Sequence, residues 1–162
     1  MGYTHYWSFN FKAGKAADLE AKYQQGILEC QKFVSKLAAE NRAAFGTSGL
    51  AGYTAHCRPG SYAGLHVNGA KDDSCEDFIM REHFKQNDAS NFCKTRRYYY
   101  DTVVQVCLLI MKYRLGDAMT VNSDGDISDW EEAKDLATKA IRRKVTIPDS
   151  IRPGNLVPLR RA

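Results

Sequence analysis

The stretch YTHYWSFNF, from Tyr3 to Phe11, decides how the rest of the chain is read. It alternates without a break: Tyr3, His5, Trp7, Phe9 and Phe11 share one face, and Thr4, Tyr6, Ser8 and Asn10 share the other. A period of two built from aromatic and β-branched residues predicts a strand. The aromatic face should turn inward, so the remaining elements must cover it.

Working outward, Leu19, Tyr23, Ile27, Cys30, Val34 and Leu37 recur at three- and four-residue steps and predict a helix over 14–44. Gly26 weakens that helix by about 1 kcal/mol relative to Ala. GTSGLAGYTAHCRPGSYAG, 46–64, is rich in Gly, Ser and Thr and reads as a long loop. YAGLHVNG (62–69) and CEDFIMRE (75–82) are strand candidates joined by the turn AKDDS, and HFKQNDAS (83–90) is a loop. A second long helix is predicted over 97–115. Between Val103 and Met111 only Gln105 is polar, which marks a helix buried on most sides. Gly116 stops it, AMTV (118–121) is a short strand, and Ser128 with Glu131 forms a capping box for a last helix striped by Trp130, Ala133, Leu136, Ala137, Ala140 and Ile141. The order predicts an α+β fold: one β-α-β-β-α-β (ferredoxin-like) sheet with an additional C-terminal helix. A single domain covers 1–147. The tail 148–162, which holds three of the four prolines, should be extended, packed over the surface or partly disordered.

Composition narrows the function classes. With 162 residues, 44% hydrophobic and 26% charged, the chain suits one folded domain rather than disorder. No apolar run approaches the roughly 18–20 residues that span a bilayer. The N-terminus lacks a secretory signal, and Tyr6 replaces the Ser or Thr of a myristoylation signal. A cytoplasmic protein without a membrane partner is expected. The formal charge of +4 permits an anionic partner. Its cations lie in patches at KTRR (94–97), RRK (142–144) and Arg160–Arg161 rather than in a stripe, so nucleic acid is not expected. Five cysteines without a CxxC argue against a disulfide framework, and Cys30 and Cys107 sit in apolar helical stripes.

The densest chemistry is NFCKTRRYYYD, Asn91 to Asp101. With a helix starting near Thr95–Arg97, unpaired amides and the macrodipole there attract anions. A phosphate or carboxylate would be held by Lys94, Arg96 or Arg97, with Tyr98, Tyr99 and Tyr100 to stack on a base or sugar. Against this stands the plain reading of a solvated helix start. Cys93 at such a terminus would have a lowered pKa and is a candidate nucleophile, with His5 as a candidate base; a buried thiol and a structural histidine are the bland alternatives. NSDGDISDWEE (122–132) fails the calcium-loop spacing, since Gly125 falls at the wrong position. His56, Cys57, His66 and Cys75 match no standard zinc pattern. No metal and no cofactor is expected.

Three stretches carry a resemblance. GYTHYW (Gly2–Trp7), NFCKT with Arg97, Tyr100 and Asp101, and SDGD with Trp130 are similar to a family of small uncharacterised proteins of tailed phages and prophages. In that family the residue before the motif tyrosine is often proline; here it is Tyr99. The resemblance implies a phage origin and a role in the phage–host encounter, such as countering host defence signalling, by analogy only. The reading that results is a binder of an anionic, nucleotide-like small molecule. Its pocket would comprise Tyr3, His5, Trp7, Asn91, Cys93, Lys94, Thr95, Arg97, Tyr100 and Asp101, with Asp101 orienting Arg97. The alternatives are a small hydrolase or transferase using Cys93 or His5, and an interaction module that inhibits a host protein.

Overall fold

A computed structural model describes residues 2–40, 50–51, 64–69 and 71–153. Among them are six strands and three α-helices: β1 (Thr4–Phe9), α1 (Ala16–Glu40), β2 (Leu50–Ala51), β3 (Leu65–Gly69), β4 (Phe78–Met80), β5 (Ser90–Lys94), α2 (Tyr100–Leu115), β6 (Met119–Ser123) and α3 (Glu131–Ile141). The fold is mixed α+β, as the sequence predicts. The expectation of one β-α-β-β-α-β sheet is corrected: the strands form two separate sheets. β1 lies between β5 and β6, antiparallel to both, while β2, β3 and β4 form a second antiparallel sheet. β5, α2 and β6 are thus a split β-α-β unit around β1, which is half of a ferredoxin-like arrangement. The two sheets meet where the Glu76 amide donates to the Lys94 carbonyl at 3.1 Å.

Alternation in β1 does what the pattern requires. Tyr3, His5, Trp7 and Phe9 are all buried, whereas Tyr6 is exposed. The apolar run in α2 is buried all round, from Val103 to Met111, because α1 and α3 both pack on the helix. Its C-terminus is closed by Gly116 at φ 54°, with Lys112 Nζ donating to the Gly116 and Met119 carbonyls at 2.8 and 2.7 Å. The stripe predicted for α1 is the buried one, Leu19, Tyr23, Ile27, Cys30 and Val34. Gly26 belongs to it for a reason of space: a Cβ there would lie 2.5 Å from Met111 Sδ.

Several boundaries shift. NFCK is strand β5, not a helix threshold, and α2 starts at Tyr100 rather than Arg97. The 3-10 turn before α3 is capped from Asp126, whose carboxylate accepts from the Ser128 amide at 2.9 Å while Asp129 Oδ2 accepts from the Asp126 amide at 2.9 Å. The predicted Ser128–Glu131 box gives way because the chain makes a 3-10 turn over Ile127–Trp130 first. In the tail, Ile151 is buried and the Arg152 carbonyl accepts from Ile127 N–H at 2.9 Å, so residues 148–153 pack on the domain. The loop expected at 46–64 lies largely outside the described residues, as do His56 and Cys57; Leu50–Ala51 within it form β2.

Candidate functional site

Because β1 is the centre strand, its inward side chains meet both neighbours. His5 stands opposite Cys93 on β5 and Ser123 on β6, and Trp7 opposite Asn91 and Val121. The first strand and the Asn91–Asp101 segment therefore do meet in space. Their side chains divide into two groups: a buried hydrogen-bonded chain around His5, and a surface cleft around Trp7.

The chain around His5 runs through all three elements. His5 Nε2 lies 2.6 Å from Asp101 Oδ1, and Thr95 Oγ1 donates to the same oxygen at 2.6 Å. A carboxylate only accepts, so Nε2 carries a proton toward Asp101, and Nδ1 is the acceptor in the neutral imidazole. Ser123 Oγ lies 2.9 Å from that Nδ1 and itself accepts from Gly125 N–H at 3.0 Å. His5 and Thr95 are fully buried, while Asp101 and Ser123 are each partly exposed. Trp130 closes the other side, its ring edge-on to the imidazole at 5.0 Å.

Above this chain the backbone is strained. Arg96 and Arg97 sit at φ 54° and 59°, a left-handed pair of non-glycine residues costing about 1–3 kcal/mol each. The turn is held by Tyr3, whose carbonyl accepts from Thr95 and Arg96 N–H at 3.0 and 3.2 Å. The Arg97 guanidinium lies 3.9 Å from the centre of the Tyr3 ring and donates to both Asp129 oxygens, at 2.7 and 3.4 Å. Hydrogen bonding from Arg97 holds the Asp129 carboxyl below its ordinary value against partial burial. Burial, then the charges of Asp101 and Asp129, push the Tyr3 phenol up to about 12.

Three expectations are corrected here. Cys93 is a fully buried strand residue, its thiol donating to the Glu76 carbonyl at 3.4 Å. Burial and then Glu76 push its pKa up rather than down. Asp101 does not orient Arg97: the arginine precedes the helix in the left-handed turn, so it pairs with Asp129 and leaves Asp101 to His5 and Thr95. The positive end of α2 is served by the chain's own Asp101 carboxylate. Among the other expected contacts, Lys94 gives its amide to Glu76 Oε2 at 2.7 Å, and Tyr100 is buried with its hydroxyl donating to the Glu76 carbonyl at 2.8 Å. Asn91 Nδ2 donates to the Asp88 carbonyl at 2.8 Å.

The cleft opens between β4 and β5 and has a volume of about 240 Å³. Trp7, Asp77, Arg81, Asp88, Asn91 and Phe92 are among its lining residues. Ladder alternation turns the backbone groups of Phe92 away from β1 and toward this gap, and no hydrogen bond among the described residues engages them. Trp7 is 4% exposed, and its indole N–H is buried with no partner. Trp130 carries a second such N–H but does not line the cleft. Asn87 is fully engaged, donating to the Tyr23 hydroxyl and accepting from Arg81 N–H, both at 3.0 Å, so it shapes the wall.

Of the residues expected to form one pocket, the cleft gathers only Trp7 and Asn91. Ser123 enters the sequence reading only in the calcium-loop stretch and as the first residue of SDGD; its meeting with His5 depends on the β1–β6 register, which no local pattern carries. Arg81, Asp77 and Asp88 flank ordinary strand and loop patterns and give no signal of their own. Among the described residues no group of three His, Cys, Asp or Glu side chains is placed to hold a metal ion, and no helix is long and apolar enough to cross a membrane. No protein-family model, no curated protein and no solved structure matches this chain.

Proposed function

We propose that the chain binds a small, weakly charged, ring-containing molecule of nucleoside or nucleotide type in the β4–β5 cleft. The observation that carries this is the buried Trp7 indole N–H without an acceptor in a residue that lines the cleft. An unpaired buried donor costs roughly 1–3 kcal/mol, which a ligand acceptor would recover on binding. Phe92, 64% exposed at the rim, offers a face for stacking. Asp77 and Asp88 accept from sugar hydroxyls or an exocyclic amine, and Arg81 takes a phosphate. One arginine against two carboxylates disfavours a polyphosphate, so the site suits a nucleoside, a monophosphate or a cyclic nucleotide. This reading moves the anion site away from the start of α2, where Arg97 is already committed to Asp129. In a phage setting, which the resemblance of GYTHYW, NFCKT and SDGD suggests by analogy, such a protein would act by sequestering a host nucleotide signal.

The test is thermal unfolding against a panel of nucleosides and nucleotides, with the ligand recovered and weighed afterwards. A ligand at about 100 times its Kd stabilises by about 2.7 kcal/mol, a rise of roughly 5–10 °C for a domain of this size. Trp7→Phe, which keeps the ring and removes the donor, and Arg81→Ala should abolish the shift. Lys94→Ala should leave it intact. No shift with any compound, or a shift lost in Lys94→Ala and kept in Trp7→Phe, would refute the cleft.

A further inference from the structure

We propose that Ser123 is a nucleophile activated through His5 and Asp101, and that it accepts an acyl group from a neutral ester. This site is separate from the cleft: Ser123 lies on β6, at the opposite edge of its sheet from β5, which borders the cleft. Direction of hydrogen bonding is the first argument. Gly125 N–H donates to Ser123 Oγ, which leaves the serine hydrogen free to donate to His5 Nδ1, while the opposite ring nitrogen donates to Asp101. Thr95 holds the same carboxylate oxygen from the other side, so Asp101 and Thr95 are positioning residues. The arrangement has the roles of a Ser-His-Asp triad with the two imidazole nitrogens exchanged.

Burial supplies the second argument. Exposure falls from the partly exposed Ser123 to the fully buried His5 behind it. The base is therefore the most shielded member of the three. Gly125 N–H holds Ser123 Oγ in place, and Gly125 packs beside the Tyr3 phenol. A Cβ on residue 125 would collide with that phenol oxygen, so glycine is required for the loop to come this close. The substrate class follows from charge. Asp124, Asp126 and Asp129 surround the loop and Arg97 is paired with Asp129, so an anionic substrate is disfavoured and a neutral one admitted.

In the proposed step Ser123 Oγ bonds to the ester carbonyl carbon and its proton passes to His5 Nδ1. The tetrahedral adduct then expels the alkoxide, which leaves as the alcohol with that proton. Water repeats the sequence to release the acid and restore the serine.

A neutral alkyl fluorophosphonate tests this without knowing the ester. Ser123 Oγ forms the O–P bond, the P–F bond breaks, and the proton leaves with fluoride by way of His5. Mass spectrometry of the intact folded protein should show one adduct, mapped to Ser123 in the digest and missing from Ser123→Ala. Asp101→Asn keeps an acceptor for Thr95 and removes the charge that stabilises the imidazolium, so labelling should slow by at least about 100-fold, with a smaller loss of melting temperature than Asp101→Ala. Wild-type protein that takes no label, a label mapped elsewhere, or equal labelling of Ser123→Ala overturns the proposal. The wild-type map decides the question even where Asp101→Asn does not fold.

Discussion

Asp101 is the residue on which the buried chain depends. Its Oδ1 serves both His5 and Thr95, each fully buried. Asp101→Ala leaves two interior donors without an acceptor, at about 1–3 kcal/mol for each. Urea unfolding should therefore show a loss of about 2–5 kcal/mol. Asp101→Asn, which retains an oxygen, should lose less. Equal stability of the alanine variant would mean that other groups satisfy His5 and Thr95. Trp7 presents the opposite situation, a donor with nothing to bind. The same kind of atom is unpartnered in Trp130, yet only Trp7 borders a cleft, so the orphan becomes informative through its surroundings.

Among the elements, α1 and α2 show why a helix can keep a glycine. Gly26 faces Met111 Sδ and Arg114 Cγ, and a Cβ would crowd the sulfur. Gly26→Ala gains about 1 kcal/mol of helix propensity, which the displacement of a flexible methionine offsets, so it should be near neutral. Gly26→Leu should cost about 1–3 kcal/mol through overpacking, measurable as a lower urea midpoint. An unchanged midpoint would mean that the helices separate without penalty. The same scale shows what was legible beforehand. β1, α1 and α3 announce themselves because each has a sustained period and one clear face, and α2 because its apolar run from Val103 to Met111 is broken only by Gln105. β5 does not: SNFCK alternates exposed, half-buried and buried positions with no apolar period, and the cations after it imitate a helix start. That misreading placed Cys93 at a helix terminus, and with it the expectation of a reactive thiol. What no window of sequence could carry is the pairing of β1 with both β5 and β6, which brings Ser123, His5 and Asp101 together across more than a hundred residues.

For the whole molecule, the Arg97–Asp129 pair ties the left-handed turn before α2 to the turn before α3. Asp129 titrates below its unfolded value because Arg97 hydrogen-bonds it. A depressed carboxyl stabilises the fold above the unfolded pKa of about 3.9 and stops doing so as pH falls through the lower folded value. Arg97 is 57% exposed, so screening limits the pair to about 1 kcal/mol. Arg97→Gln should be less stable than wild type at pH 6, with the difference closing below about pH 3.9; a constant difference across that range would assign the effect to stacking on Tyr3 instead. Net charge says less: its mild positive excess suggested an anionic ligand, yet the cleft holds one arginine and two aspartates.

The most direct test of ligand binding in the cleft is the indole ¹⁵N–¹H spectrum, which contains two signals because the chain has two tryptophans. On titration with the nucleoside or nucleotide that raises the melting temperature, the Trp7 Nε1–H signal should move as it gains an acceptor, and the Trp130 signal should stay in place. A ligand that stabilises the protein while leaving the Trp7 indole signal unmoved would contradict the account.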